Sequence, residues 1–306
     1  MSADAAIKTS DLSKTFGSIR AVDRLNLAVN KGELYGLVGP DGAGKSTTMR
    51  MLAAIMDPTS GDGWIFGDSL VRDAGKISEK VGYMSQRFGL YEDLTVMENI
   101  LFYADIFAVS SKERPARIER LLGFSNLTPF KNRLAGKLSG GMKQKLGLAC
   151  ALIHTPEVLI LDEPTNGVDP VSRRDFWRIL YDLLKDGVTI FVSTAYLDEA
   201  ERCTRIGLMH RGRILVEDVP KKIRSSFDRT MLELWPEHPR FASDAVQHIP
   251  GVFSVSLYGD RLHVALERHA VRASVLDAVK KAGVEIKDVR EILPSLEDVF
   301  ISLVEK

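Results

Sequence analysis

An α/β fold built on a largely parallel sheet and followed by a small α+β domain is what this sequence predicts, and three observations predict it. A glycine-rich stretch, Gly39 to Ser46, joins an apolar run to a helix-like run. Beyond Ser139, short apolar runs alternate with helical stretches, the pattern of a parallel sheet wound with helices. After Arg229 the order becomes strand, helix, strand, strand, helix, strand, which suggests a ferredoxin-like unit. At 306 residues the chain has room for one large domain and a small companion, with the expected division at 1–227 and 228–306.

Taken in order, Ala5 to Phe16 and Ile19 to Asn30 carry apolar residues at strand spacing around the turn signal Gly17-Ser18, which predicts an antiparallel start. Leu34 to Val38 is a short apolar strand, and Lys45 to Ile55 is helix-like, with Met49, Leu52 and Ile55 on one face. Between Gln86 and Leu138 the pattern turns helical. Val96, Ile100, Tyr103 and Phe107 form one stripe and a charged helix runs from Lys112 to Leu122, so an inserted helical subdomain is expected over about 87–138. A helix to Ile153, a strand Val158 to Leu161, a helix Ser172 to Lys185 and a strand Val188 to Ser193 complete the large domain. The small domain is expected to place strands at Thr230 to Trp235, Val252 to Tyr258, Arg261 to Leu266 and Ile286 to Ile292, with Gly259-Asp260 as a hairpin turn. A final amphipathic helix runs from Ser295 to Val304.

Composition is that of an ordinary globular protein, 45% hydrophobic and 27% charged. Basic and acidic residues balance at 41 each, which removes the broad positive footprint of a general nucleic-acid binder, so no nucleic-acid partner is expected. Cys150 and Cys203 lack C-x-x-C or Cys/His spacing and read as buried reduced thiols. The start Met1-Ser2-Ala3-Asp4-Ala5-Ala6 lacks the basic and apolar regions of a secretory signal, and no apolar run approaches the ~20 residues that span a bilayer. A cytoplasmic protein is expected, with any membrane role borrowed from a partner.

Gly39-Pro40-Asp41-Gly42-Ala43-Gly44-Lys45-Ser46 has the P-loop pattern G-x-x-x-x-G-K-[ST] between a strand and a helix. Its glycines let the backbone curl so that N–H groups point at phosphate oxygens, and the following helix adds its positive end. Lys45 is placed to neutralise the β- and γ-phosphates, Ser46 to ligate Mg²⁺ through its hydroxyl, and Thr47 to add a phosphate contact. Val158 to Leu161 supply a buried strand that ends in Asp162 and Glu163, at the edge where α/β sheets hold ligands. Asp162 fits a metal-ligand role and Glu163 a base or water-orienting role. These features together describe a P-loop NTPase.

Leu138-Ser139-Gly140-Gly141-Met142-Lys143-Gln144 resembles the signature motif of ABC ATPases, and the order of the motifs around it agrees over nearly the whole chain. The resemblance implies an ABC cassette that works as a head-to-tail dimer, with two ATP molecules held between the P-loop of one subunit and the signature loop of the other. Ser139 as an N-cap, with Gly140 and Gly141 allowing close approach, would aim a helix end at the γ-phosphate. The resemblance also implies that Gln86, in Gly82-Tyr83-Met84-Ser85-Gln86, is the Q-loop glutamine that reaches metal and attacking water. Asp169, in Gly167-Val168-Asp169-Pro170, matches the D-loop that contacts the opposite subunit. Phe16 lies where the family puts an aromatic that stacks on adenine; a core phenylalanine is the other reading.

In Ser193-Thr194-Ala195-Tyr196 the family usually carries a histidine at the position of Ala195, bridging γ-phosphate and catalytic carboxylate. Alanine cannot do this, and loss of a preorganised donor costs about 10²–10³ in rate, so weak turnover is expected. A hydroxyl from Ser193 or Thr194 is the nearest substitute, and His210, before the turn Arg211-Gly212, reads as an exposed turn residue. Gly89 to Asn99, Gly167 to Pro170, Tyr196 to Glu201 and Pro294 to Phe300 resemble ATPase subunits of ABC-2-type exporters of the daunorubicin and multidrug kinds. The chain also resembles the first cassette of tandem YbhF-like ATPase subunits, a resemblance that implies the histidine is missing there too. The resemblance implies ATP and Mg²⁺ as cofactors, ABC-2-type membrane permease partners, and a second cassette in a homodimer or degenerate heterodimer. It further implies a peripheral place on the inner face of the cell membrane, powering export of a drug-like or lipophilic substrate. The alternatives are an ATP-sensing cassette with little turnover, encouraged by Ala195, and a soluble non-transport ABC ATPase, which the charge balance disfavours.

Overall fold

The computed structural model describes residues 5–267 and 272–304 and divides the chain into two compact units, Met1–Glu217 and Asp218–Lys306. Of the start Met1 to Ala6, residues 1–4 lie outside the described residues. The division precedes the expected position near Phe227 because the helix Pro220–Ser225 is anchored in the second unit, where Arg224 Nε donates to Pro294 O at 2.9 Å.

The first unit holds two sheets. A four-stranded antiparallel sheet runs in the order Ile19–Asn30, Ala5–Phe16, Ser60–Ile65, Asp68–Ser69. Gly17, at φ 57°, makes the tight turn between the strands Ala5–Phe16 and Ile19–Asn30. The six-stranded sheet runs Arg213–Asp218, Arg205–His210, Leu34–Val38, Thr189–Thr194, Val158–Asp162, Val81–Met84, and its last five strands are parallel. Leu34–Val38 and Val158–Asp162 are buried throughout, as strands covered on both faces must be. The helix Lys45–Leu52 touches strands of both sheets and sends Met49, Met51 and Leu52 into a core with Ile7, Val22, Ile160 and Phe191. Tyr35 stacks on Phe191 with centroids 5.3 Å apart.

That helix is shorter than its apolar pattern suggests. Ala54 adopts φ 54°, the left-handed stop that ends many helices, and Ile55 turns out to 60% exposure. The inserted helices are Val96–Ile106, opened by a Thr95–Glu98 capping box, and Arg114–Phe124. On the first of them Val96, Asn99, Ile100 and Ala104 are buried; Tyr103 is half-buried, and Phe107, past the helix end, stacks on His154 at 3.9 Å. Cys150 and Cys203 are buried and unbonded, and burial pushes the Cys203 thiol up to about 12.

The second unit is a ferredoxin-like α+β fold. Its antiparallel sheet runs Val252–Tyr258, Arg261–Leu266, Thr230–Pro236, Ile286–Ile292, and the helices Pro239–Val246 and Arg272–Lys281 bury Val246, Val275 and Val279 against Leu232, Leu234 and Val264. Gly259, at φ 62°, supplies the hairpin turn. The last helix is Leu296–Val304.

Candidate nucleotide site

The parallel sheet sets three strand ends side by side. Val38 pairs with Thr194, and Asp162 pairs with Ser193, so the loops leaving these strands emerge together at the carboxyl edge. In the loop after Val38, a side chain does not fit at Gly39 or Gly44. A Cβ on Gly39 would lie 2.2 Å from Met209 O, and one on Gly44, at φ 107°, would lie 2.3 Å from Ala21 O. Ala43 N donates to Pro40 O at 3.2 Å and closes the turn.

Lys45 is buried, 4% exposed, and its ammonium donates to Gly39 O at 2.7 Å and Pro40 O at 3.1 Å. The same nitrogen lies 3.0 Å from Glu163 Oε1. Ser46 Oγ donates to Asp162 Oδ1 at 3.0 Å, and Ser193 Oγ donates to that oxygen at 2.8 Å. Burial pushes the Asp162 carboxyl up, against the lowering effect of these two hydroxyl donors. Glu163 sits in the left-handed region at φ 47°, with its N–H donating to Ser193 Oγ at 2.9 Å. Its Oε2 accepts from Gln86 Nε2 at 3.0 Å and from Asn166 Nδ2 at 3.3 Å.

Lys45, Ser46, Gln86 and Glu163 line a cavity of about 500 Å³ together with Phe16, Ala21, Asp41, Gly42, Gly44 and Thr47. Phe16 is 47% exposed at its mouth, with the Lys14 ammonium 5.4 Å from the ring centroid, so the core reading of Phe16 is overturned. Ser139, Gly140, Gly141 and Asp169 gather elsewhere. Ser139 Oγ accepts from Met142 N at 3.3 Å and caps the helix Gly140–Leu152; Asp169 Oδ1 accepts from Val171 N and Ser172 N and caps Pro170–Lys185. The Ser172 N–H, with its hydroxyl, holds the Asp169 carboxyl below the usual range. The two caps meet, since a Cβ on Gly141 would lie 2.3 Å from Ser172 Oγ. Buried Gln144 donates to Pro164 O at 2.7 Å, linking the helix after Ser139 to the segment after Glu163.

Ala195 is exposed just past the strand Thr189–Thr194. Neither neighbouring hydroxyl is available for the role that the resemblance would give a histidine at this position: Ser193 is committed to Asp162 and Glu163, and Thr194 Oγ1 donates to Glu199 Oε2 at 3.0 Å. His210 ends the strand Arg205–His210 and is half-buried, not an exposed turn residue. Asn166 and Glu199 escaped the sequence reading. Only the segments that carry them, the four residues after Asp162 and the run after Ala195, were signals.

A family model for ABC transporters matches residues 22–166, and one for the C-terminal domain of DrrA1-3-like ATP-binding proteins matches residues 220–304. The bacitracin transport ATP-binding protein BcrA of Bacillus licheniformis is 34% identical to this chain over 97% of both lengths. This chain belongs to the ABC transporter ATP-binding proteins. Among its relatives, the daunorubicin/doxorubicin resistance ATP-binding protein DrrA of Streptomyces peucetius is 32% identical, covering 97% of this chain and 92% of DrrA. The probable multidrug ABC transporter ATP-binding protein YbhF of Escherichia coli is 43% identical over 98% of this chain, which spans 52% of YbhF. A dimeric ATP-binding cassette in a post-hydrolysis state bound to ADP and Pi superposes at TM-score 0.64 with 28% identity, covering 70% of this chain and 98% of that one. The cbiO1 subunit of the cbiONQ transporter from Clostridium perfringens superposes at 0.66 with 26% identity, covering 72% and 91%.

ABC cassettes bind ATP with Mg²⁺, and the residues of this one fit that pair. A buried ammonium beside curled backbone N–H groups suits a polyphosphate. The Ser46–Asp162 hydroxyl–carboxylate pair is the sparse oxygen set of Mg²⁺, which keeps several ligand positions for water and phosphate. Among the described residues no group of three or more His, Cys, Asp or Glu could hold a different metal, and no helix is long and apolar enough to cross a membrane.

Proposed function

We propose that this cassette binds and hydrolyses ATP in the Gly39–Ser46 cavity and thereby powers export of a drug-like or lipophilic substrate through separate ABC-2-type permease subunits. The observation that carries the reading is the 3.0 Å approach of Lys45 Nζ to Glu163 Oε1 inside that cavity, beside the Ser46–Asp162 pair. Phosphate-binding cation, metal-binding pair and candidate base converge on one space.

In this reading the backbone of Gly39, Pro40, Asp41, Gly42, Ala43 and Gly44 wraps the phosphates, with Lys45 and Thr47 adding direct contacts and Phe16 stacking on the base. Ser46, Asp162 and Gln86 would hold Mg²⁺, which would supply neutralising charge to the phosphates. Glu163 orients the attacking water and accepts its proton, and Gln86 fixes the carboxylate through Oε2. Ser139, Gly140, Gly141 and Asp169 serve the site of a second cassette. None of the four lines this cavity, and Gly141 packs against Ser172 and Asp169, which supports that role.

Transport rests on the relatives: the names of BcrA, DrrA and YbhF describe bacitracin transport, daunorubicin/doxorubicin resistance and probable multidrug transport. The chain would sit on the cytoplasmic face of the membrane against its permease. A second reading, an ATP sensor with little turnover, is favoured by Ala195 alone. Measuring ATP binding and phosphate release by the purified chain, with and without co-purified membrane protein, tests the proposal. No ATP affinity would end it; tight binding without release would favour the sensor.

A further inference from the structure

We infer that Tyr196 and Asn166 position Glu163 in place of the missing histidine at Ala195, on a frame built around the buried carboxylate of Glu199. The inference rests on the assignment of ATP hydrolysis to this cavity. Tyr196 OH donates to Asn166 Oδ1 at 3.5 Å, and Asn166 Nδ2 donates to Glu163 Oε2 at 3.3 Å. Both contacts are at the long end of hydrogen bonding, as such contacts are before substrate closes a site.

The direction of the relay is set by chemistry. An amide offers an acceptor at one end and a donor at the other. A phenol that donates to Oδ1 keeps Nδ2 turned to the carboxylate; a flipped amide would set oxygen against oxygen. With Gln86 also donating to Oε2 and Lys45 facing Oε1, the plane of the Glu163 carboxylate is fixed on both sides.

Glu199 is 1% exposed and holds both loops that carry the relay. Its Oε2 accepts from Thr165 Oγ1 at 2.7 Å, next to Asn166, and from Thr194 Oγ1 at 3.0 Å. Thr194 Oγ1 in turn accepts from Tyr196 N at 2.9 Å. Arg173 Nε lies 3.4 Å from Glu199 Oε1, and its guanidinium carbon is 4.7 Å from the centroid of the Tyr196 ring. One carboxylate therefore ties down the residue before Asn166, through Thr165, and the loop that carries Tyr196, through Thr194. Tyr196 itself is 39% exposed, so removing its hydroxyl alone leaves the packing in place.

The test uses the full chain with Mg-ATP and sensitive detection of released phosphate. Tyr196→Phe is expected to lower kcat about tenfold, the low end for residues that orient a reacting group, with KM for ATP within about twofold. Asn166→Ala gives a loss at least as large. In the Glu163→Gln background, Tyr196→Phe makes no further difference, because the group it orients is gone. Unchanged kcat in both single variants, a change in KM alone, or a full tenfold effect persisting in the Glu163→Gln background overturns the relay. Parent protein that binds ATP but releases no phosphate also overturns it while leaving ATP binding intact. Failure to bind ATP instead removes the site assignment beneath it.

Discussion

Glu163 Oε1 lies 3.0 Å from Lys45 Nζ, so the lysine of the phosphate loop and the carboxylate after Asp162 neutralise each other in a buried pair. An incoming phosphate must share Lys45 with that carboxylate. Glu163→Gln removes the competing charge together with the base, which separates affinity from turnover. We expect phosphate release to fall by at least about 10²-fold while ATP binding is retained or tightened. The variant should also accumulate an ATP-dependent dimer, seen as a doubling of mass in light scattering; a monomer under saturating ATP would count against the two-cassette sandwich.

Ala195→His should act in the opposite direction. The position is exposed just past the strand Thr189–Thr194, which pairs with the strand that ends in Asp162. Restoring a preorganised donor is worth up to about 10²–10³ in rate. Comparing turnover of the parent and the variant decides it, and equal, fast rates in both would show that a histidine at position 195 has no bearing on turnover.

Gly141 is where two helix caps touch. A methyl group there would meet Ser172 Oγ at 2.3 Å and Ser172 Cβ at 2.5 Å, inside any tolerable contact. Gly141→Ala should cost about 1–3 kcal/mol from overpacking. It should also displace the Ser139 cap relative to Asp169. Because the clash is with Ser172, adding Ser172→Gly should recover much of the loss in a urea titration. No recovery would locate the problem elsewhere.

Much of this architecture was legible because burial imposes period. Leu34–Val38 and Val158–Asp162 are apolar runs with both faces covered, and the residues at their ends had motif chemistry that survives in any context. The strand Ser60–Ile65 escaped notice because Gly61 and Gly63 interrupt its apolar pattern; a Cβ on Gly61 would lie 2.2 Å from Asp11 O, so the neighbouring backbone demands the glycine. Ile55 misled in the other direction, since nothing in its spacing reveals that Ala54 turns left-handed. The polar relay was illegible for a different reason. Tyr196, Asn166 and Glu163 meet only because the parallel sheet sets the ends of Val158–Asp162 and Thr189–Thr194 side by side, and a hydrogen bond between loops leaves no periodic trace.

The second unit should respond to pH through His263. Its ring lies between Asp298, with Nδ1 to Oδ2 at 3.2 Å, and Glu233, with Nε2 to Oε1 at 3.4 Å, and tilts against Tyr258 at 4.2 Å. Arg261 pairs with the same Glu233 at 3.1 Å. Burial works against a charged imidazole, yet the two carboxylates outweigh it and raise its pKa above 6.5. A raised folded value means the charged ring stabilises the fold fully below about 6.5, and this contribution fades as pH climbs through the folded pKa. The Asp298 carboxyl is also buried, and donation from His263 and Ser295 still holds it below 3.8, so its contribution is present above that value and lost in acid. Urea unfolding should therefore show a plateau between about pH 4 and 6.5 with a decline on either side. His263→Gln keeps a hydrogen-bonding side chain without the proton equilibrium, and should flatten the alkaline decline while lowering the plateau. An alkaline decline of the same size in the variant would assign it to another group.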